Sequence, residues 1–301
     1  MFFRAFYAVR MLTNSKGMPT NAIYGFLSMS VKLLKDIQPD YMVYCYDQPG
    51  PSFRKELYEE YKANRSATPE ELIPQIPYIK KLTELMGIPG IGKEKYEADD
   101  VIGSLAQFGV QNKLDVVIVS GDKDFAQLIN NKITMYDTMK DVKYDVAKVE
   151  EKWGVHPSQF IDYLAITGDS SDNIPGVKGI GPKGAQKLLD KFESLDGIYD
   201  NINLIKTPSQ VKKLEESKNN AYLSQKLVEI VKDLDLVTGL NDVSLKPIDN
   251  DKLEEVLDEL EFTSFKKNLI GGATKKQQIS NTAQAKRKKS LKIEAAKPKQ
   301  L

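Results

Sequence analysis

The sequence predicts an α/β protein with a central, mostly parallel sheet, followed by a helical region. Three observations point there. The runs Tyr41–Tyr46, Leu114–Ser120 and Lys132–Tyr136 are short, apolar and rich in β-branched and aromatic residues, as buried strands are. Segments of helical spacing separate them, and strands alternating with helices form parallel sheets. After about residue 150 the strand signal ends and helical spacing takes over. Asp47, Asp122 and Asp124 close two of the strands. Open α/β sheets bind their ligands at the carboxyl ends of strands.

A chain of 301 residues can bury a sizeable core, as one large domain or two smaller ones. A hydrophobic content of 41% and a charged content of 28% are those of a soluble globular protein. No apolar run approaches the roughly 20 residues of a membrane helix. Met1–Tyr7 has neither the basic nor the apolar region of a signal peptide. The single cysteine, Cys45, excludes an internal disulfide and a cysteine-based zinc site, and its apolar neighbours suggest an inert buried thiol. A cytoplasmic location is expected. The net charge of +1 hides an asymmetry: from Lys275 onward nine Lys or Arg stand against Glu294 alone, so the rest of the chain is acidic. Such a tail is expected to be disordered, either as a solubilising end or as an arm that binds nucleic-acid phosphates.

The elements follow in order. Residues 20–37 predict a helix, with Thr20 as cap and Pro39 beyond its end. The first strand ends at Asp47, and Gln48-Pro49-Gly50-Pro51 is a turn. Residues 52–69 interleave Phe53, Tyr58 and Tyr61 with Arg54, Lys55, Lys62 and Arg65 and hold few aliphatics. That mixture suits single-stranded nucleic acid, where bases stack and phosphates pair; a solvated helix with incidental tyrosines is the plain alternative. Residues 70–86 predict a second helix, and 88–92 an irregular link. Tyr96-Glu97-Ala98-Asp99-Asp100-Val101-Ile102-Gly103 opens the next helix, to about residue 111. Acids are favoured at a helix start, so this is either a well-capped terminus or part of a carboxylate cluster. Close carboxylates repel and need cations, and hard divalent ions prefer oxygen ligands. Gly121-Asp122-Lys123-Asp124 follows the second strand and leads into a helix through Leu128. Helices are predicted over 157–167, 183–192, 194–202, 208–216, 219–233 and 252–268. Between the first two of these, Thr167–Gly184 is rich in glycine, with Lys178 and Lys183 adding charge. Two helices joined by such a hairpin make a backbone-amide cradle for one DNA strand's phosphates.

The chain closely resembles the 5′→3′ exonuclease domain of bacterial DNA polymerase I, a member of the flap endonuclease family. The likeness runs from Phe3 to about Gly271. It rests on Tyr24-Gly25-Phe26, Gly50-Pro51-Ser52-Phe53-Arg54, Tyr61-Lys62-Ala63-Asn64-Arg65, Tyr96-Glu97-Ala98-Asp99-Asp100, Gly121-Asp122-Lys123-Asp124 and the run Thr167–Val177. The resemblance implies a PIN-like nuclease core over 1–150, with a helical arch at about 50–75 that passes a 5′ single strand. It further implies a helix–hairpin–helix DNA-binding region over 151–272, with residues 273–301 as a basic tail. The implied activity is hydrolysis of DNA phosphodiesters at single-strand/duplex junctions, as 5′→3′ exonuclease and 5′-flap endonuclease, in primer removal and repair. Two Mg²⁺ ions are implied, with Mn²⁺ as substitute. Asp47, Glu97, Asp99 and Asp100 would surround the first, and Asp122, Asp124, Asp169 and Asp172 the second. Lys62 and Arg65 would contact the scissile phosphate, with Arg4 nearby. Phe53, Arg54 and Tyr58 would line the arch, and Tyr61 would stack on a base. Gly176, Val177, Lys178, Gly179, Ile180, Gly181 and Lys183 would grip duplex phosphates, with K⁺ bound at the hairpin. A stand-alone monomer with a separate DNA polymerase as partner is expected.

One departure stands out. The family pattern opens with a strand whose closing aspartate is a first-ion ligand, just before the position of Phe3. Here Met1-Phe2 occupies that point. Either Met1 is internal to a longer natural chain, or the protein is a catalytically weak or silent structure-specific DNA-binding protein. Loss of that strand would leave unpaired edges on its neighbours.

Overall fold

The computed structural model describes residues 2–270. In chain order the helices are α1 (Phe2–Ala8), α2 (Asn21–Asp36), α3 (Phe53–Leu57), α4 (Gln75–Leu85), α5 (Ala98–Gln111), α6 (Val146–Trp153), α7 (Phe160–Thr167), α8 (Pro182–Phe192), α9 (Leu195–Asp200), α10 (Pro208–Glu216), α11 (Lys218–Val228), α12 (Asn250–Glu259) and α13 (Thr263–Leu269). The strands are β1 (Tyr44–Cys45), β2 (Gly90–Ile91), β3 (Val116–Val119), β4 (Ile133–Asp137) and β5 (Val142–Tyr144). The described residues divide into two compact units: residues 2–42, 68–89 and 243–270, and residues 43–67 with 90–242. Among the described residues no helix is long and apolar enough to cross a membrane. The basic tail lies outside the described residues.

The first unit is helical. Ile23, Phe26 and Leu27 of α2, Ile79 and Leu82 of α4, and Leu253 and Leu257 of α12 are fully buried. Their spacing of three and four places them on one face of each helix. The cap of α2 differs from expectation. Thr20 makes no side-chain cap bond. Instead the buried Gln75 side chain accepts from the amides of Ala22 (2.8 Å) and Ile23 (3.2 Å) and donates to Asn21. Helix-start amides need acceptors, and a long side chain from another helix meets that need as well as a local hydroxyl does.

The second unit holds both sheets. β1 pairs parallel with β2, and β3 parallel with β4, to which β5 is antiparallel. Parallel pairing predominates, as expected, but the strands form a two-stranded and a three-stranded sheet rather than one. β1 and β3 are each paired on one side only. The run Leu114–Ser120 is consequently less buried than its composition suggests, with Val117 37% exposed. The link at 88–92 proves to contain β2. The segment expected to be an arch is helical only at α3 and then passes through turns, with Lys62 in the left-handed region (φ 56°).

The helices of this unit pack around Phe125, Met135, Phe160, Leu164, Ile166 and Leu189. α7 and α8 flank the Gly-rich hairpin. Gly168 (φ 68°) and Gly176 (φ 62°) meet backbone to backbone: a Cβ on Gly176 would lie 2.5 Å from the Gly168 nitrogen. No side chain fits there. The helix predicted over 219–233 stops at Val228. Beyond it the amides of Ile230, Val231 and Leu234 are taken by side chains of Gln127, Asp100 and Ser104. Those side chains out-compete the helix ladder.

Candidate functional site

All eight acids singled out in the sequence lie in the second unit. They reach it on four segments: Asp47 just past β1, Glu97–Asp100 at the start of α5, Asp122 and Asp124 after β3, and Asp169 and Asp172 in the loop after α7. Backbone amides, of the same segment or of a neighbouring one, place several of these carboxylates. Asp47 Oδ1 accepts from the Ala98 amide at 2.8 Å. Glu97 caps α5 in an extended conformation, and Asp100 Oδ2 accepts in return from the Glu97 amide (3.1 Å), a reciprocal capping box. Asp122 Oδ1 accepts from the Asp124 amide at 3.1 Å. Asp169 Oδ1 accepts from the Ser171 amide at 2.7 Å.

The charge balance distinguishes these acids. Burial, then the Asp122 carboxylate, pushes the Asp99 carboxyl up to about 7; Lys62 opposes the shift, and Glu97 and Asp47 add to it. Burial and Asp122 push Asp124 up too. Its Oδ1 is buried and makes no hydrogen bond. Asp169 goes the other way. Burial alone would raise it, but the Lys123 ammonium and the Ser171 amide outweigh that and hold it below the ordinary value. Burial, with Asp99 beside it, pushes the Cys45 thiol up to about 12, which disfavours the thiolate, although Cys45 is half-buried rather than fully buried as expected.

Cations from the 58–65 segment pair with the same acids. Lys62 Nζ donates to Glu97 Oε1 at 2.8 Å and lies 3.8 Å from Asp172. Arg65 donates from Nε (3.0 Å) and Nη2 (2.5 Å) to Asp172 Oδ1. Two turns clasp to hold this arrangement. The Lys62 amide donates to Asp172 O, Asn64 Nδ2 to Ser170 O and Asn173 Nδ2 to Glu60 O. Ser52 and Tyr61 hydroxyls also donate to Glu97. Ser52, Asn64, Asn173 and Lys123 had no role assigned from the sequence. Lys123 stands inside Gly121-Asp122-Lys123-Asp124, but its partner Asp169 is 46 residues away, so no local spacing signals the pair.

Several expectations are corrected. Asp100 is not placed as a metal ligand. It is fully buried, and both its oxygens receive the Arg54 guanidinium at 2.7 Å. Arg54 is not placed to meet DNA either: it is 2% exposed and also donates to Leu227 O and Glu229 O. Tyr61 is 5% exposed and belongs to the core, so its ring is not available to a base. Phe53 packs against Tyr96, and Tyr58 against the core. The hairpin offers fewer amides than expected. Those of Gly176, Val177, Lys178 and Ile180 are satisfied by Ser224 Oγ, Ile166 O, Ser217 Oγ and Val177 O. Gly179, Gly181 and Lys183 remain, with exposed Lys178 and Lys183 side chains. Gly179 O accepts from Lys213 Nζ at 3.0 Å. Arg4 lies on α1, in the first unit.

The donor set suits hard divalent ions: all are carboxylates, one buried oxygen lacks a partner, and two carboxyls are pushed up by burial first and by neighbouring carboxylates next. Among the described residues no three such side chains converge on one ligand point. Lys62, Arg65 and Lys123 take up carboxylate oxygens instead.

Comparison with known proteins agrees with this chemistry. Residues 1–154 match the family described as 5′-3′ exonuclease, N-terminal resolvase-like domain, and residues 155–251 match 5′-3′ exonuclease, C-terminal SAM fold. DNA polymerase I of Caldicellulosiruptor bescii is 46% identical over 89% of this chain and 32% of its own length. The chain thus spans about a third of that relative. A 5′-3′ exonuclease of Aquifex aeolicus is 40% identical over 89% of this chain and 91% of its own. The T5 D15 protein co-crystallised with metal ions superposes with a TM-score of 0.63 at 25% identity, covering 77% of this chain and 90% of that one. The catalytic core of Rad2 with DNA substrate shares the fold, with a TM-score of 0.57 at 20% identity, over 86% and 84% of the two chains.

Proposed function

The chain belongs to the 5′-3′ exonuclease family, and from that premise we propose that it hydrolyses DNA phosphodiesters at single-strand/duplex junctions, as exonuclease and 5′-flap endonuclease. The observation that supports this most is the gathering of acids from four segments into one unit, with Lys62 and Arg65 paired to them. Mg²⁺, with Mn²⁺ as substitute, would supply activation of water and neutralisation of the attacking and leaving oxygens. Asp47, Glu97 and Asp99 would hold one ion, and Asp122, Asp124, Asp169 and Asp172 the other. Asp100 and Arg54 would not bind it; they fix the start of α5 and so orient Glu97. Lys62 and Arg65 carry their charge on long, flexible side chains, and the phosphodiester monoanion would compete with Glu97 and Asp172 for them. The amides of Gly179 in the hairpin and of Gly181 and Lys183 at the start of α8 would take duplex phosphate. We place K⁺ at the hairpin as a proposal only in competition with Lys213, which already serves Gly179 O. A cytoplasmic monomer acting beside a separate polymerase in primer removal and repair completes the reading.

The test is cleavage of a 5′-labelled flap duplex in Mg²⁺ with an EDTA control. A short labelled product that EDTA abolishes, and that Asp122→Asn loses, is expected. Product that survives EDTA or Asp122→Asn overturns the assignment.

A further inference from the structure

Lys123 lies between two acids of the proposed second ion site, yet its ammonium is ion-paired with Asp169 Oδ2, 46 residues further along the chain. The pair is partly sheltered: the Lys123 side chain is 39% exposed and that of Asp169 only 12%. Attraction between such charges is screened far less than at an open surface. Both Asp169 oxygens are engaged. Oδ1 takes the Ser171 amide and Oδ2 takes Lys123. Its neighbours contrast with it. Asp124 Oδ1 is buried without a partner, and Asp122 uses Oδ1 on a backbone amide. A cation entering among Asp122, Asp124 and Asp169 therefore finds Asp169 in direct contact with the Lys123 ammonium, which acts on Asp122 and Asp124 only through space. Each carboxylate oxygen keeps a second lone pair, but a divalent ion held there sits against the Lys123 ammonium, which is on a flexible stem, and repels it, whereas the Ser171 amide is fixed by the turn. The ammonium is the one that can leave.

We infer that Lys123 is a resident counter-ion: it competes with the divalent ion for Asp169, lowers affinity at the second ion site, and is released when that site fills. The inference rests on the reading of these acids as ion ligands. By linkage, whatever the pair contributes to holding Asp169 is subtracted from ion affinity, and ion binding loosens the pair by the same factor. The released ammonium stays beside the site, where it can meet a phosphate. No bond is made or broken in this exchange; one ion pair replaces another.

The test is Mn²⁺ titration of the full chain followed by electron paramagnetic resonance of the free ion. Lys123→Gln keeps the stem and removes the charge, and is expected to tighten the weaker Mn²⁺ site about tenfold while leaving the tighter site in place. Lys123→Arg keeps the charge and is expected to stay near wild type. Unchanged or weaker binding in Lys123→Gln overturns the inference, and so does an equal shift in both variants. A second reading needs no variant: amine labelling of wild-type Lys123, followed by mass spectrometry, should rise on saturation with Mg²⁺, and constant labelling overturns the release. Wild-type protein that binds no second Mn²⁺ also overturns it. Flap cleavage by that same sample then shows whether the nuclease reading stands without the counter-ion or has failed with it.

Discussion

Asp99 and Asp100 are adjacent and chemically identical, yet they do opposite things. Successive side chains on a helix point about 100° apart. Asp99 therefore turns towards Asp122 and Asp47, and Asp100 turns inward to Arg54. The Arg54–Asp100 pair has two parallel bonds of 2.7 Å and further bonds to Leu227 O, Glu229 O and the Val231 amide. Removing one partner of a buried pair strands the other charge. Arg54→Met is expected to lower unfolding free energy by about 3–5 kcal/mol in urea denaturation. Arg54→Lys should recover little, because an ammonium cannot make the planar two-bond contact. A loss under about 1 kcal/mol in Arg54→Met would mean that the pair is dispensable.

Among the elements, the α7–hairpin–α8 motif was the one most readable from its residues. Gly168 and Gly176 allow the tight backbone contact, and Pro182 opens α8 as a first-turn residue should. What its residues did not announce is that Ser217 and Ser224, some 40 positions on, consume two of its amides. The phosphate grip is correspondingly concentrated at Gly179, Gly181, Lys178 and Lys183. Lys178→Ala and Lys183→Ala should each weaken duplex binding and reduce the slope of log affinity against log salt by about one. Slopes equal to wild type in both would remove the hairpin from the duplex contact. The arch segment was less readable. Its aromatics suggested stacking on bases, but Tyr61 is drawn into the core, and the Asn64 and Asn173 side chains hold the segment in turns.

At the level of the folded protein the acids set a dependence on pH. Asp99 has an ordinary value of 3.8 and is pushed up to about 7 when folded, by burial first and Asp122 next. Between those values the folded chain keeps a proton that the unfolded chain has released. Stability from this group is therefore present below about pH 4 and lost as pH rises through 7. For protein stripped of metal by EDTA, wild type should lose roughly 2–3 kcal/mol relative to Asp99→Asn between pH 5 and 8. Thermal denaturation of both proteins across that range checks it. A difference that stays constant, or that favours wild type at high pH, contradicts the crowding of carboxylates described above.

Local chemistry determined much of this protein. Alternating apolar runs and helical spacings specify parallel strands and helices without any long-range information. Acids at strand ends and at a helix start mark a cation site, because carboxylates gathered there repel unless something positive is shared among them. Charge pairing was decided only when the chain folded. Residues as far apart as Lys62 and Asp172, Lys123 and Asp169, or Arg54 and Asp100 meet through packing, and burial magnifies each meeting by removing the water that would screen it. The extent of the sheets was decided there too, since a strand's length depends on the neighbour it finds: β1 runs two residues because β2 does. Sequence spacing says which groups are present; the low-dielectric interior says which of them still carry an unanswered charge.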